Sequence, residues 1–395
     1  MDSLTDIHWL TAPETAPLLH DLQQQLTAAG QVDVRLAASL RKSHSSSRTH
    51  LLLEQIELRN RARDKFYNNP SELFFTRHGL EQATDEALAQ YKAARFTANQ
   101  PFADLCCGIG GDALALAVRG SLAAWDANPI VAHFAACNLR VSGAAPARVH
   151  CALADANSMR DVAAWHIDPD RRPAGERTIQ LADYEPGPDL LRELLRINPH
   201  GAIKVAPAAD FAAPDWPSCE REWLGSRGEC RQQVLWFSEL ATRPGQHVAT
   251  TVSAQGVSHS FAGRPAVPLS PADEVRAFVY EPDATILAAD LAGEFADRHQ
   301  LAAITTGGGY LTGDQELQHP LVVRFRVRDV LPFDVKQLKA YCRVNQLGQL
   351  EIKKRGVDLQ PHFLRRQIMS SGAGAAVVIV SPVGETVKAI VAERT

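Results

Sequence analysis

Asp104-Leu105-Cys106-Cys107-Gly108-Ile109-Gly110-Gly111-Asp112 joins an apolar run, Pro101 to Leu105, to an alanine- and leucine-rich segment through closely spaced glycines. The spacing predicts a strand, a tight turn and a helix start. Glycine serves where the backbone takes positive φ or comes close to a ligand, and the first turn of the helix offers free N–H groups to it. A nucleotide-like cofactor is the expected occupant. Gly108-Ile109-Gly110-Gly111-Asp112-Ala113 also satisfies the looser dinucleotide pattern G-x-G-x-x-G/A, so the glycines leave two chemistries open.

Asp104, four residues before Gly108, separates them. A carboxylate at the strand end would repel a pyrophosphate, whereas a cofactor with a cationic sulfonium and an amino group gains from it. S-adenosylmethionine (SAM) fits. The pattern Asp-x-x-x-Gly-x-Gly resembles the first motif of class I SAM-dependent methyltransferases. The loop from Asp104 through Cys106, Gly108, Gly110, Gly111 and Asp112 is therefore assigned to the cofactor.

Trp125-Asp126-Ala127-Asn128-Pro129 closes the second apolar run, where a carboxylate can accept both ribose hydroxyls. Asp126 and Ala127 join the cofactor set. Asp155 follows the third run and either meets the adenine amino group or caps the next helix. The fourth run delivers His166-Ile167-Asp168-Pro169-Asp170-Arg171-Arg172-Pro173, at the end of the sheet where open α/β folds put substrates. Asp168, Pro169 and Arg171 are the catalytic candidates. The segment resembles the Asp/Asn-Pro-Pro-aromatic motif of amine-directed methyltransferases, with Asp170 in place of the second proline and Arg171 in place of the aromatic. Arg171 and Arg172 could stack on a base, fork onto a phosphate, or pair with Asp170 or Asp183. Lys204 ends the fifth run on the same side, as a perturbed functional lysine or one reaching solvent.

The elements that position these residues are legible as a pattern. Five short apolar runs, Phe102–Leu105, Leu122–Trp125, Val149–Leu153, Ala163–Ile167 and Ala202–Val205, alternate with helical stretches and predict a mainly parallel α/β sheet. A hairpin is expected from Glu222–Leu224 and Gln233–Phe237 around Gly225-Ser226-Arg227-Gly228. Residues 1–97 read as a helical domain, with helices over Leu51–Leu58 and Leu80–Tyr91 and a serine-rich start at Ser43–Ser47. Residues 98–245 form the catalytic domain. Residues 246–322 read as a linker and ferredoxin-like segment with a helix near Ile286–Phe295, and 323–395 as a small α+β module with strands at Leu321–Val327, Leu350–Lys353 and Ala375–Ile379.

Composition excludes some classes. The chain has 395 residues, 45% hydrophobic and 22% charged, which describes a soluble globular protein of about two to three domains. No long apolar run or leader is evident, and the seven cysteines include no C-x-x-C, so reduced thiols, a cytoplasmic location and no membrane span are expected. Fourteen histidines without H-x-x-x-H spacing predict no metal.

The net charge of −4 hides an asymmetry. Between Arg324 and Arg366 eleven Lys/Arg meet four Asp/Glu, a local +7 against −11 elsewhere. Alternation along a strand would align Arg324, Arg326 and Arg328 on one face without matching acids, and Lys353, Lys354 and Arg355 follow nearby, a set suited to a polyanion. A second basic and aromatic set, Arg41, Lys42, Arg48, Arg59, Arg61, Arg63 and Lys65 with Phe66 and Tyr67, could touch nucleic acid or form a solvated surface.

Phe74–Thr84, the Asp104 motif, Asp168-Pro169-Asp170-Arg171-Arg172 and Glu351-Ile352-Lys353-Lys354-Arg355-Gly356 together resemble a bacterial family of class I methyltransferases with a carboxyl-terminal THUMP-like domain. The catalytic domain is also distantly similar to trimethylguanosine synthases, the cap-guanine N2 methyltransferases. The resemblance implies SAM as cofactor and RNA, tRNA or rRNA, as target. The expected function is methylation of an RNA base. The alternatives are a catalytically silent SAM- and RNA-binding protein and an NAD-dependent oxidoreductase. Oligomeric state is not readable from sequence.

Overall fold

Helical apolar spacing begins the fold with α1 (Leu4–Leu10), α2 (Ala16–Ala29), α3 (Val34–Leu40), α4 (Ser46–Ala62), α5 (Arg77–Gln82) and α6 (Glu86–Ala93). The computed structural model describes residues 3–29, 34–143, 146–159, 161–171, 178–209, 211 and 216–395. Ser45 caps α4 by accepting from the Arg48 amide at 3.2 Å, as the serine run predicts. The helix expected over Leu80–Tyr91 is instead two. The chain turns extended at Ala83 (φ −55°, ψ 138°), and the Lys65 ammonium donates to the carbonyls of Leu80, Glu81 and Ala83, fixing the break. The basic set around Lys65 is accordingly not one cationic face. Arg59 is buried with its guanidinium on the Leu73 carbonyl, and Arg48 pairs with Asp6 at 2.9 Å.

The five predicted strands follow. With the helices between them the order is β1 (Phe102–Leu105), α7 (Gly111–Arg119), β2 (Leu122–Asp126), α8 (Pro129–Val141), β3 (Ala147–Cys151), β4 (Ala164–Ile167), α9 (Pro188–Ile197) and β5 (Gly201–Val205), and the five strands are parallel in the order β3-β2-β1-β4-β5. Strands β1, β4 and β5 are buried throughout and, apart from Asp104, His166 and Lys204, are built of apolar residues and glycine, which is why they read as short apolar runs. The hairpin is β6 (Cys219–Ser226) and β7 (Glu229–Phe237), and β7 runs antiparallel to β5, pairing Ala202 with Trp236 and Val205 with Gln233.

The chain divides into two compact units, one of Met1–Cys219, Gln233–Pro244 and Ser253–Gly256, the other of Glu220–Gln232, Gly245–Val252 and Val257–Thr395. In the first unit the amino-terminal helices share a core with the sheet's own helices: Ile7, Leu52, Ile56, Phe75 and Leu80 pack with Ile109, Phe134 and Cys137. A second core holds Leu105, Trp165, Ile167, Leu191, Leu194 and Leu235. Asn138 of α8 joins the helical segment to the glycine turn. Its amide donates to the Phe74 and Ile109 carbonyls at 3.0 and 2.9 Å and accepts from the Phe74 N–H at 2.7 Å.

The second unit contains β8 (His247–Val252), β9 (Ser258–Gly263), β10 (Phe278–Pro282), α10 (Ala284–Ala288), α11 (Ala292–Arg298), β11 (Ala302–Ala303), β12 (Leu311–Gly313), β13 (Val322–Pro332), α12 (Val335–Val344), β14 (Leu347–Lys354), α13 (Pro361–Ile368), β15 (Gly374–Val383) and β16 (Thr386–Arg394). Strands β8 and β9 form an antiparallel pair, and β10 to β16 form a seven-stranded sheet in the order β11-β12-β10-β13-β16-β15-β14. Helices α12 and α13 cover one face of it, burying Leu338, Cys342, Leu364 and Ile368 against Leu350, Val378, Val380 and Val391. The single helix expected near Ile286–Phe295 is the pair α10 and α11, separated at Asp290 with φ of 56°.

Replacing Asn138 by Leu strands two buried carbonyls and one buried N–H, which costs about 1–3 kcal/mol per unsatisfied group at most and less where the backbone relaxes. A urea-denaturation midpoint that falls accordingly is the expected outcome. An unchanged midpoint would show that these hydrogen bonds do not hold the helical segment to the turn.

Candidate active site

The glycine turn is a bend forced through left-handed backbone. Cys106, Gly108 and Gly110 have φ of 53°, 57° and 93°, and α7 begins at Gly111. A side chain on Gly108 would point into open space, so the turn presents bare backbone there, whereas a Cβ on Gly111 would meet the Thr84 amide nitrogen at 3.3 Å. Gly111 thus admits the chain between α5 and α6 to the turn. Cys106 holds a conformation that costs a non-glycine residue about 1–2 kcal/mol. Burial, then Asp126 and Asp168, push its thiol well above the ordinary cysteine range, so it stays protonated and weakly nucleophilic.

Asp126, half-buried at the end of β2, accepts from the Gly108 N–H at 3.0 Å with Oδ2 and from the Asn128 N–H at 2.9 Å with Oδ1. Ala127 beside it is exposed. Burial raises the Asp126 carboxyl above its usual value, against the pull of those two amides. Asp155 takes the capping role: it accepts from the Asn157 and Ser158 amides at 2.9 and 3.1 Å and starts a short 3-10 turn over Ala156–Met159.

Asp104 is turned inward. Its side chain is 1% exposed, and Oδ1 lies 2.7 Å from His166 Nδ1, while Oδ2 has no hydrogen-bond partner among the described residues. Burial raises this carboxyl. The other ring nitrogen of His166 is 3.3 Å from Lys92 Nζ, and Lys92 pairs with Asp112 at 2.7 Å. Thr84 donates to Asp112 Oδ2 at 2.7 Å and receives Lys204 Nζ at 3.1 Å, and Lys204 ends on Asp168 Oδ2 at 2.6 Å. Burial alone would raise Asp112, but Lys92, His166 and Lys204 hold it well below the usual carboxylate range. Burial alone would lower Lys204, but Asp168 and Asp112 hold it above the ordinary lysine value.

The chain surfaces at Asp168, whose side chain is 29% exposed against 8% for Lys204. Pro169 is buried beside it, and Asp170 is fixed by two backbone hydrogen bonds with Glu185. Arg171 lies by the Tyr184 hydroxyl, which also accepts from the Ala206 N–H at 3.1 Å. Arg172 falls outside the described residues. The arrangement offers an anionic carboxylate backed by a buried ammonium, next to a bare glycine turn flanked by a second carboxylate. It can accept a hydrogen bond, and then a proton, from an N–H brought to the sheet edge.

Thr84, Lys92 and His166 carry the connection, and sequence reasoning gave none of them a role. His166 and Thr84 lie within quoted motifs. Lys92, on a helix with mixed polarity, gave no signal of burial.

The second unit corrects the strand-arginine expectation. Arg324 pairs with Glu316 at 2.9 Å, Arg326 reaches the same carboxylate at 3.7 Å, and Arg328 pairs with Glu393. A bulge between Val327 and Asp329 also takes Arg328 out of the alternation. Lys353 pairs with Glu281 at 2.8 Å. Among the described residues no carboxylate pairs with Lys354 or Arg355, nor with the exposed Lys336, Lys339, Arg343, Arg365 and Arg366 of α12 and α13. Among those residues there is also no group of three or more His, Cys, Asp or Glu that could hold a metal ion, and no helix long and apolar enough to cross a membrane.

Comparison with known proteins adds three findings. A family model described as THUMP domain-like matches residues 322–394. Two curated relatives, uncharacterized S-adenosylmethionine-dependent methyltransferases of Mycobacterium tuberculosis strains CDC 1551 and H37Rv, are each 29% identical over 358 residues, covering 87% of this chain and 95% of the relative. A crystal structure of a candidate methyltransferase from Porphyromonas gingivalis W83 superposes with a TM-score of 0.75 at 21% identity, covering 89% of this chain and 92% of that one.

Asp112→Asn leaves Lys92 and Lys204 short of a buried counter-charge and is expected to cost about 3–5 kcal/mol at pH 7. Because the folded carboxyl titrates below its unfolded value, its stabilisation is complete above about pH 4 and is lost as the pH falls toward the folded pKa. Chemical denaturation at several pH values should therefore find the mutant and wild type converging under acid. A gap independent of pH would place the effect in packing.

Proposed function

We propose that this chain, a SAM-dependent methyltransferase with a THUMP-like carboxyl-terminal domain, methylates a base of structured RNA, tRNA or rRNA. The functional division that goes with this reading is helices to residue 97, methyl transfer over 98–245, a connecting segment over 246–322 and an RNA-binding module from 323. One observation carries the RNA target: among the described residues of the module that matches the THUMP-like model, Lys354, Arg355 and five exposed cations on the two helices covering one sheet face have no carboxylate partner.

The residues present fit the cofactor. The bare backbone at Gly108 admits a ligand, and Asp126 spends one lone pair per oxygen on amides, leaving others for two ribose hydroxyls. Carboxylates at Asp104, Asp126, Asp168 and Asp170 give the turn a negative field suited to a sulfonium. The protonated Cys106 thiol does not compete for the methyl group. In this reading Asp104, Cys106, Gly108, Gly110, Gly111, Asp112, Asp126 and Ala127 make the cofactor site, and Asp155 shapes its edge. Bound SAM supplies an electrophilic methyl group.

Asp168 would orient the attacking base by accepting its N–H on Oδ1, and would take that proton once the nitrogen is alkylated. Pro169 fixes the backbone there, and positioning supplies most of the rate. Arg171 stands where an aromatic would stack on the base, and its place beside Tyr184 favours holding the loop. That departure sustains a second reading, a silent protein that binds SAM and RNA without transfer.

Asp126→Ala should weaken SAM binding by roughly 1.5–3 kcal/mol, on the order of 10- to 150-fold, in calorimetry. Unchanged affinity would remove Asp126 from the cofactor site. For RNA, replacing Lys336, Arg365 and Arg366 by Gln should lower the salt dependence of filter binding to a bacterial tRNA and rRNA pool by about one unit per lost phosphate contact. The Arg324, Arg326 and Arg328 triple variant should change that slope little. The opposite ranking would return the contact to the strand. Asp168→Ala should keep SAM affinity and stop transfer; a wild-type protein that binds both ligands and transfers nothing would favour the silent reading.

A further inference from the structure

We infer that Lys204 is the positioning residue of the transfer reaction, and that it is held in place by Thr84 of the amino-terminal helical segment, which makes that segment a working part of the active site. The inference rests on the methyl-transfer reading of Asp168.

The hydrogen-bond directions leave little freedom. Thr84 has one hydroxyl proton and gives it to Asp112 Oδ2 at 2.7 Å, so its oxygen must accept from Lys204 at 3.1 Å. Lys204 is thereby aimed from below at a single oxygen of Asp168, Oδ2, at 2.6 Å. Among the described residues no group bonds to Oδ1. An ammonium clamped between a hydroxyl and a carboxylate fixes the plane of that carboxylate and so the direction in which Oδ1 can receive a substrate N–H.

The clamp is dry. Lys204 is 8% exposed at its side chain and Thr84 is buried, so neither can exchange its partner for solvent without disturbing the other. The close approach of Thr84 to the turn depends on Gly111, and the break between α5 and α6 supplies the extended backbone that brings Thr84 there. A helix running unbroken from Leu80 to Tyr91 would not present it. Asp112 and Lys92 behind Thr84 complete a line of fixed charges that stops the hydroxyl from rotating away.

The test measures transfer of labelled methyl from [methyl-³H]SAM to the RNA, DNA and protein fractions of a lysate from cells lacking this protein, with SAM affinity by calorimetry and melting temperature in parallel. Lys204→Met should lower kcat by roughly 10- to 100-fold while the Kd for SAM stays within about twofold and the protein melts cooperatively. Lys204→Arg should recover part of kcat, Thr84→Val should lose activity in the same sense as Lys204→Met but less, and Thr84→Ser should restore it. If Lys204→Met fails to fold, Thr84→Val against Thr84→Ser decides. Wild-type kcat in Lys204→Met, or equal loss in Thr84→Ser and Thr84→Val, would overturn the positioning role. Label in protein or DNA alone would sink the RNA reading and leave the Lys204 comparison standing on that acceptor. No label in any fraction would overturn both.

Discussion

Three carboxylates, two ammonium groups and an imidazole lie in one hydrogen-bonded and ion-paired line from Asp104 to Asp168, almost all of it out of water. Charges at that depth are tolerable only when every partner is present, and removal of any one strands its neighbours. The line therefore fixes relations among elements that apolar packing leaves adjustable. It joins β1 to β4 through Asp104 and His166, β4 to β5 through Asp168 and Lys204, and both to α6 and α7 through Lys92 and Asp112. The amino-terminal helices cannot drift from the sheet without breaking it.

This accounts for how the first unit is organised. A helical segment that looks like a separate domain by composition shares a hydrophobic core with α8 and the glycine turn, is stapled there by Asn138, and places Thr84 under Asp168. The glycine turn and the Asp168 carboxylate are thus supported from behind by the same piece of chain.

The sheet was legible because its strands advertise themselves. A strand buried on both faces is mostly apolar, and the runs ending at Leu105, Ile167 and Val205 are apolar but for Asp104, His166 and Lys204. Asp104, Asp126 and Asp168 were legible as candidates because strand ends carry function in such folds. What pairs with a charge was not legible. That one oxygen of Asp104 lies against His166, 62 residues away, could not be read from the strand-end pattern. Arg324 and Arg328 read as unpaired until Glu316 and Glu393 arrive from other segments. The break at Ala83 was hidden for a related reason: helical apolar spacing continues through it, and only Lys65 reaching three carbonyls shows that the helix stops.

The place of β16 in its sheet bears on synthesis. Residues 386–394 form a strand between β13 and β15, so it is interior, with partners on both sides. The first unit, by contrast, has all its strand pairings once Phe237 is available. During translation the first unit can close while most of the second is still unmade, but the second sheet remains two separate fragments until its final strand leaves the ribosome. In that interval β13 and β15 each expose an unpaired edge, the kind of surface on which chaperones act and aggregates begin.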